Sequence, residues 1–198
     1  MSAPRRMPAI EAESYRRLRA AVDLSPLPAL SRAVAERVIH ATADLGYAGD
    51  LVLDEAALRR GSAALAAGRP LVADVTMVAA GVSSRAVVCG LNEPAAAGLA
   101  RARDLTRSAA GMLLAAAAAG PGAVYVVGCA PSALRALLEA AAEPALVVGL
   151  PVGFVDAVEA KQALRDSGLP SLTNRGPKGG SAAAAAAVNA LLYAVEPS

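Results

Sequence analysis

The stretch AVYVVGCAPSALRALLEAAAEPALVVGLPV, residues 123–152, decides the fold. Two short β-branched, apolar runs, AVYVVG (123–128) and ALVVGLPV (145–152), flank a segment with helical spacing. Neither run alternates with polar residues, as expected of strands buried on both faces, and a strand–helix–strand unit points to a parallel pair. Working outward, PLVADVTMV (70–78) and RAVVCGL (85–91) are further strand-like runs before it. The weaker PSLTN near residue 170 follows, and it too leads into a helical pattern. Residues 27–42 place Leu27, Leu30, Val34, Val38 and Ala41 on one helical face, and DEAALRRGSAALAAG (54–68) is a second helical segment closed by Gly68. The reading is an α/β fold, a single domain over residues 1–198 with a parallel sheet, helices on both faces and a flexible N-terminal stretch at 1–9. No internal repeat and no linker divides the chain.

Composition narrows the function. Of 198 residues 56 % are hydrophobic and only 3 % aromatic, with no Trp, so alanine-rich helices pack closely and large aromatic pockets are not expected. Nineteen Lys and Arg against 17 Asp and Glu give a formal charge of +2, which makes no electrostatic case for a nucleic-acid partner. Cys89 and Cys129 are too few and too far apart for a disulfide framework or a zinc knuckle, and they read as small buried thiols. The N-terminus lacks the apolar core of a secretion signal. Glycine and proline break the uncharged stretch 108–134 into pieces too short to span a bilayer. A soluble, cytoplasmic protein without membrane or metal partners is expected.

The architecture also places ligands. Open α/β sheets bind at the carboxyl ends of their strands, where turns lead into helix N-termini. Here those turns are GCAPSAL (128–134), GLPVGFVDAVEAK (149–161) and NRGPKGGSAAAA (174–185). Their glycines and helix N-termini suit anions, and Arg175 and Lys178 add charge to the third. Dinucleotide, P-loop and esterase motifs are absent. The one histidine, His40, stands within ERVIHATAD (36–44), a turn from Glu36 and Arg37 and on the flank of the apolar stripe. Spacing alone leaves it between an ordinary boundary residue and a general acid whose pKa a neighbouring carboxylate such as Glu36 could tune.

Seven segments in order resolve that choice by likeness: IEAESYRRL, AERVIHATAD, RPLVADVTMVAAGV, LTRSAAG, GCAPSAL, PALVVGLPVGFVDAVEAK and PKGGSAAAAAAVNALL. From about Ile10 to Leu192 the chain resembles the precorrin-8X methylmutases of corrin (vitamin B12) biosynthesis and their cobalt-precorrin-8 counterparts. The resemblance implies a 1,5-shift of a methyl group from C-11 to C-12 of a tetrapyrrole-derived ring, giving hydrogenobyrinate or its cobalt form. It also implies that His40 is the acid–base residue, that Ser14, Arg37, Thr76, Met77, Arg107 and Lys178 contact the corrinoid substrate, and that no cofactor is needed. A homodimer with active sites at the subunit interface follows in the same way. The chain departs from the family pattern at Ala43, where many relatives carry Gly, at Cys129, where Asn is usual, and at Pro177, where a basic residue is common. A rival reading is a non-catalytic tetrapyrrole carrier on the same fold. A generic flavodoxin-like nucleotide-binding domain would need phosphate-loop or flavin-stacking residues that the chain lacks.

Overall fold

The computed structural model describes residues 8–140 and 142–195. In chain order it runs through α1 (Ala9–Ala21), α2 (Ala29–Thr42), α3 (Tyr47–Asp50), β1 (Leu51–Leu53), α4 (Glu55–Ala66), β2 (Leu71–Ala73) and α5 (Thr76–Gly81). After a 3-10 turn at Gly90–Asn92 come α6 (Pro94–Arg103), α7 (Arg107–Ala119), β3 (Val124–Val127), α8 (Pro131–Glu139), β4 (Leu146–Gly149), α9 (Ala157–Asp166), β5 (Ser171–Asn174) and α10 (Ser181–Val195). The stretch expected to be flexible, 1–9, lies outside the described residues up to residue 7, and Ala9 opens α1. Among the described residues no helix is long and apolar enough to cross a membrane.

The strands form one sheet in the order β1-β5-β4-β3-β2. Strands β2 to β5 are parallel, as read from residues 123–152 and their neighbours. The period-2 geometry of a strand divides the core cleanly. Leu71, Ala73, Val124, Val126, Leu146, Val148 and Leu172 face α2, α4 and α10. Val72, Tyr125, Val127 and Val147 point the other way, against α7, α8 and α9. The α/β fold with helices on both faces is thus present.

Three local outcomes differ from the sequence reading. An antiparallel edge strand, β1, pairs Leu51 with Asn174 and Leu53 with Leu172. It is only three residues long, too short for any period to register. RAVVCGL is not a strand: Val88 makes a single bridge to Val72, and the chain then turns at Gly90. A close backbone crossing fixes that turn, since a Cβ on Gly90 would stand 2.2 Å from the carbonyl oxygen of Gly111 in α7. PLVADVTMV splits into β2 and the start of α5, with Asp74 at the break. Ala43 ends α2 in the left-handed region (φ 53°, ψ 27°).

Candidate active site

Two helices make the histidine's surroundings. Helix α1 is amphipathic enough to bury Tyr15 and Leu18 while exposing its arginines, and it lies across α2. The crossing brings Ser14 Oγ to 2.8 Å from His40 Nδ1 and lays the Tyr15 ring parallel to the imidazole, with centroids 4.8 Å apart at an interplanar angle of 14°. The serine hydroxyl can donate to a bare Nδ1 or accept from a protonated one, so the pair suits both charge states of the ring. Among the described residues Nε2 takes no hydrogen bond, which leaves it for a ligand. A surface groove of about 520 Å³ opens beside Ser14, lined also by Ala9, Ile10, Glu13 and Arg17.

Arg37, one turn before His40, is part-buried. Its guanidinium carbon lies 4.4 Å from the Tyr193 ring centroid, and Nη1 donates long hydrogen bonds, 3.4 Å each, to the Glu11 carboxylate and the Tyr15 hydroxyl. Burial pushes the Tyr15 phenol up, and the nearby Arg37 charge offsets part of that. Glu36, one turn before His40, is buried and held through both carboxylate oxygens by Arg19, at 2.8 Å each.

The expected anion sites at the strand ends are largely filled by the chain itself. The carboxylate of Asp74, 1 % exposed, accepts the backbone N–H groups of Gly128 (3.1 Å), Cys129 (2.8 Å) and Ala130 (2.8 Å), occupying the GCAPSAL turn. Burial raises its pKa above the ordinary carboxylate value even against those donors. Both thiols beside it, Cys89 and Cys129, are half-buried and pushed up by that burial. In the 174–185 turn Asp50 accepts from the N–H groups of Arg175 and Gly176. The Arg175 side chain bonds through Nη1 to the carbonyl of Gly49, and its backbone N–H is already taken. The middle turn carries apolar side chains outward instead, with Phe154 101 % and Val155 84 % exposed.

Among the sequence-chosen residues, Ser14 and His40 meet directly, and Arg37 is joined to them through Tyr15. Thr76 and Met77 open α5 at the end of β2, exposed, with Met77 the larger apolar surface at 66 %. Arg107 opens α7, exposed, beside the bond of 2.7 Å that joins Thr106 to Ser132 at the start of α8. Lys178 is tied to Asp44, at 2.8 Å, and to the Tyr47 ring, so it meets the end of α2 rather than the glycine turn. Tyr15, Tyr193 and Glu11 went unread. Only Tyr15 left a signal, as the neighbour of Ser14 in ESYRR.

Comparison with known proteins identifies the relatives of the chain as a whole. A family model described as precorrin-8X methylmutase matches residues 9–194. A precorrin-8X methylmutase of Pseudomonas aeruginosa is 43 % identical over 92 % of this chain and 93 % of its own. A cobalt-precorrin-8 methylmutase of Methanocaldococcus jannaschii is 40 % identical over 80 % of this chain and 77 % of its own. The crystal structure of a precorrin-8X methylmutase from Thermus thermophilus superposes with a TM-score of 0.85 at 37 % identity, covering 94 % of this chain and 95 % of that one.

Proposed function

We propose that this chain, which belongs to the precorrin-8X methylmutase family and is an isomerase, moves a methyl group from C-11 to C-12 of precorrin-8X or cobalt-precorrin-8, with His40 as general acid and base. The observation that carries the assignment is the Ser14–His40–Tyr15 group: the one histidine of the chain, oriented at Nδ1 and stacked on its face, with Nε2 left for the substrate.

The shift is intramolecular, so the chain's task is to hold the macrocycle and to draw electron density from it. A proton shared from Nε2 with a ring nitrogen makes the conjugated system electron-poor, favours migration of the methyl group, and returns to the imidazole afterwards. Positioned acid catalysis of this kind is worth about 10²–10⁴ in rate. Ser14 follows the change of charge by switching between donor and acceptor at Nδ1. Arg37, Arg107 and Lys178 meet the acetate and propionate arms, and Thr76 and Met77 border the ring. Arg107 and Thr76–Met77 stand at the sheet's strand-end edge, whereas Ser14, Arg37 and His40 lie on α1 and α2. A homodimer whose interface completes the site would bring both groups onto one substrate, and the exposed Phe154 and Val155 supply apolar surface for such a contact. A cytoplasmic biosynthetic setting fits this substrate.

The test is turnover. Purified protein and its His40→Ala variant are mixed with precorrin-8X, and the visible spectrum is followed as the chromophore rearranges. Conversion by the wild type, with a loss of about two to four decades in the variant, is the expected result. Binding of both metal-free and cobalt pigments without conversion of either would establish the carrier reading instead.

A further inference from the structure

Helix α5, which carries Thr76 and Met77, is six residues long and has no side-chain cap at its start. A helix that short does not hold itself. Its far end is gripped from α10. The side chain of Asn189, 8 % exposed, accepts the Ser83 N–H at 2.9 Å and the Ser83 hydroxyl at 3.1 Å, and donates to the Gly81 carbonyl at 2.9 Å. Four residues further on, and so on the same face of α10, Tyr193 lies 2.7 Å through its hydroxyl from Ser83 Oγ. With Ser83 donating to Asn189, Tyr193 donates to Ser83, whose hydroxyl both donates and accepts. The same Tyr193 ring lies under the Arg37 guanidinium, 4.4 Å from its centroid, beside the two long hydrogen bonds of Arg37 to Glu11 and Tyr15. A continuous chain of contacts therefore runs from the exit of α5 through Ser83 and Tyr193 to Arg37 on α2.

We propose that Asn189 and Tyr193 are positioning residues, which from one face of α10 hold Thr76–Met77 and the Arg37 guanidinium in a fixed relation so that both meet one substrate. The proposal rests on the methylmutase reading above. Neither residue needs to touch the substrate. Their effect belongs to binding rather than to the methyl shift, because what they hold is the Arg37 guanidinium and the exit of α5.

A double-mutant cycle separates this role from general support of the fold. Steady-state conversion of precorrin-8X is measured for wild type, Tyr193→Leu, Tyr193→Phe, Arg37→Ala, and Tyr193→Leu with Arg37→Ala together. Tyr193→Leu is expected to raise KM by about 3- to 30-fold, the range of a cation–π contact, with kcat little changed. Tyr193→Phe keeps the ring under Arg37 but loses the bond to Ser83, so it is expected to raise KM by a smaller factor, about 2- to 12-fold. In the Arg37→Ala background, Tyr193→Leu should have a clearly smaller effect, because the ring's contact with the guanidinium is already gone and its bond to Ser83 is left to lose. Full additivity of the two changes, or a fall in kcat at constant KM, overturns the proposal while the methylmutase reading stands. Should Tyr193→Leu not fold, Ser83→Ala cuts the same chain of contacts from a loop, and an unchanged KM in that variant is equally decisive. If the wild type neither converts nor binds precorrin-8X, the methylmutase reading falls and the proposal falls with it.

Discussion

Ser14 and His40 belong to different helices, 26 residues apart in sequence, and their side chains meet at 2.8 Å on the Nδ1 side of the imidazole. A histidine oriented at one nitrogen by a group that both donates and accepts can lose and regain a proton without rotating. Ser14→Ala should therefore lower kcat by about 2- to 12-fold, the net worth of one hydrogen bond, and move the pH profile of kcat/KM. A rate and profile identical to wild type would remove the serine from the mechanism.

Ala43 is a non-glycine residue in left-handed backbone at the C-terminus of α2. That conformation costs an L-residue about 1–2 kcal/mol, which glycine avoids while losing a little more chain entropy. Ala43→Gly is expected to stabilise the protein by about 0.5–1 kcal/mol, a rise in Tm of about 1–4 °C at this size. Thermal melts of both proteins decide it, and a lower Tm for the glycine variant counts against the strain.

The Asp74 carboxylate accepts three N–H groups from the β3–α8 turn with its two oxygens. Asp74→Asn keeps one acceptor and turns an NH2 group toward donors, so at least one buried N–H is orphaned at a cost of about 1–3 kcal/mol. Chemical denaturation should show that loss at pH 7. Because burial holds the pKa of Asp74 above its unfolded value, the folded chain binds this proton more readily. The group's contribution is fully present below the unfolded value of 3.8 and fades as pH rises through the folded one. The advantage of wild type over a variant that cannot titrate, Asp74→Asn, should thus grow on acidification through that window.

Lys161 is fully buried, with its ammonium on Asn174 Oδ1 (2.9 Å), the Lys178 carbonyl (2.8 Å) and the Gly176 carbonyl. Burial pulls its pKa down from 10.5 to about 8. Below the folded value both folded and unfolded chains hold the proton. Between the two values only the unfolded chain does, so the group's contribution to stability increases with pH there. The stability difference between wild type and Lys161→Met should accordingly rise from pH 8 to 10, at a slope of up to about 1.4 kcal/mol per unit. A difference that is flat or falls over that range would show that the amine is not buried as a charge.

What the sequence disclosed and what it hid follow one rule. Val124–Val127 and Leu146–Gly149 were legible because both faces of those strands are buried, which leaves uninterrupted apolar runs. Leu51–Leu53 was not, since edge pairing through three residues writes no pattern. RAVVCGL misled for the opposite reason: its β-branched composition is real, but its backbone pairs at one residue only. The histidine could be singled out because it is unique, while its partners Ser14 and Tyr15 were joined to it only by likeness or by the helix crossing. The turns rich in glycine were chemically suited to anions, as read. What no local window could show was that Asp74 and Asp50, more than fifty and more than a hundred residues away in sequence, already sit in two of them.

That internal occupancy has a consequence for selectivity in a crowded metabolite pool. A free phosphate or nucleotide reaching the GCAPSAL turn has to evict a tethered carboxylate, whose effective concentration no dissolved anion matches. The protein carries its own competitor there, which disfavours phosphorylated bystanders without a steric clash. On the methylmutase reading proposed above, discrimination then falls to cations such as Arg37, set over the Tyr193 ring, from which a ligand carrying several carboxylates at fixed spacing gains more than any single charge.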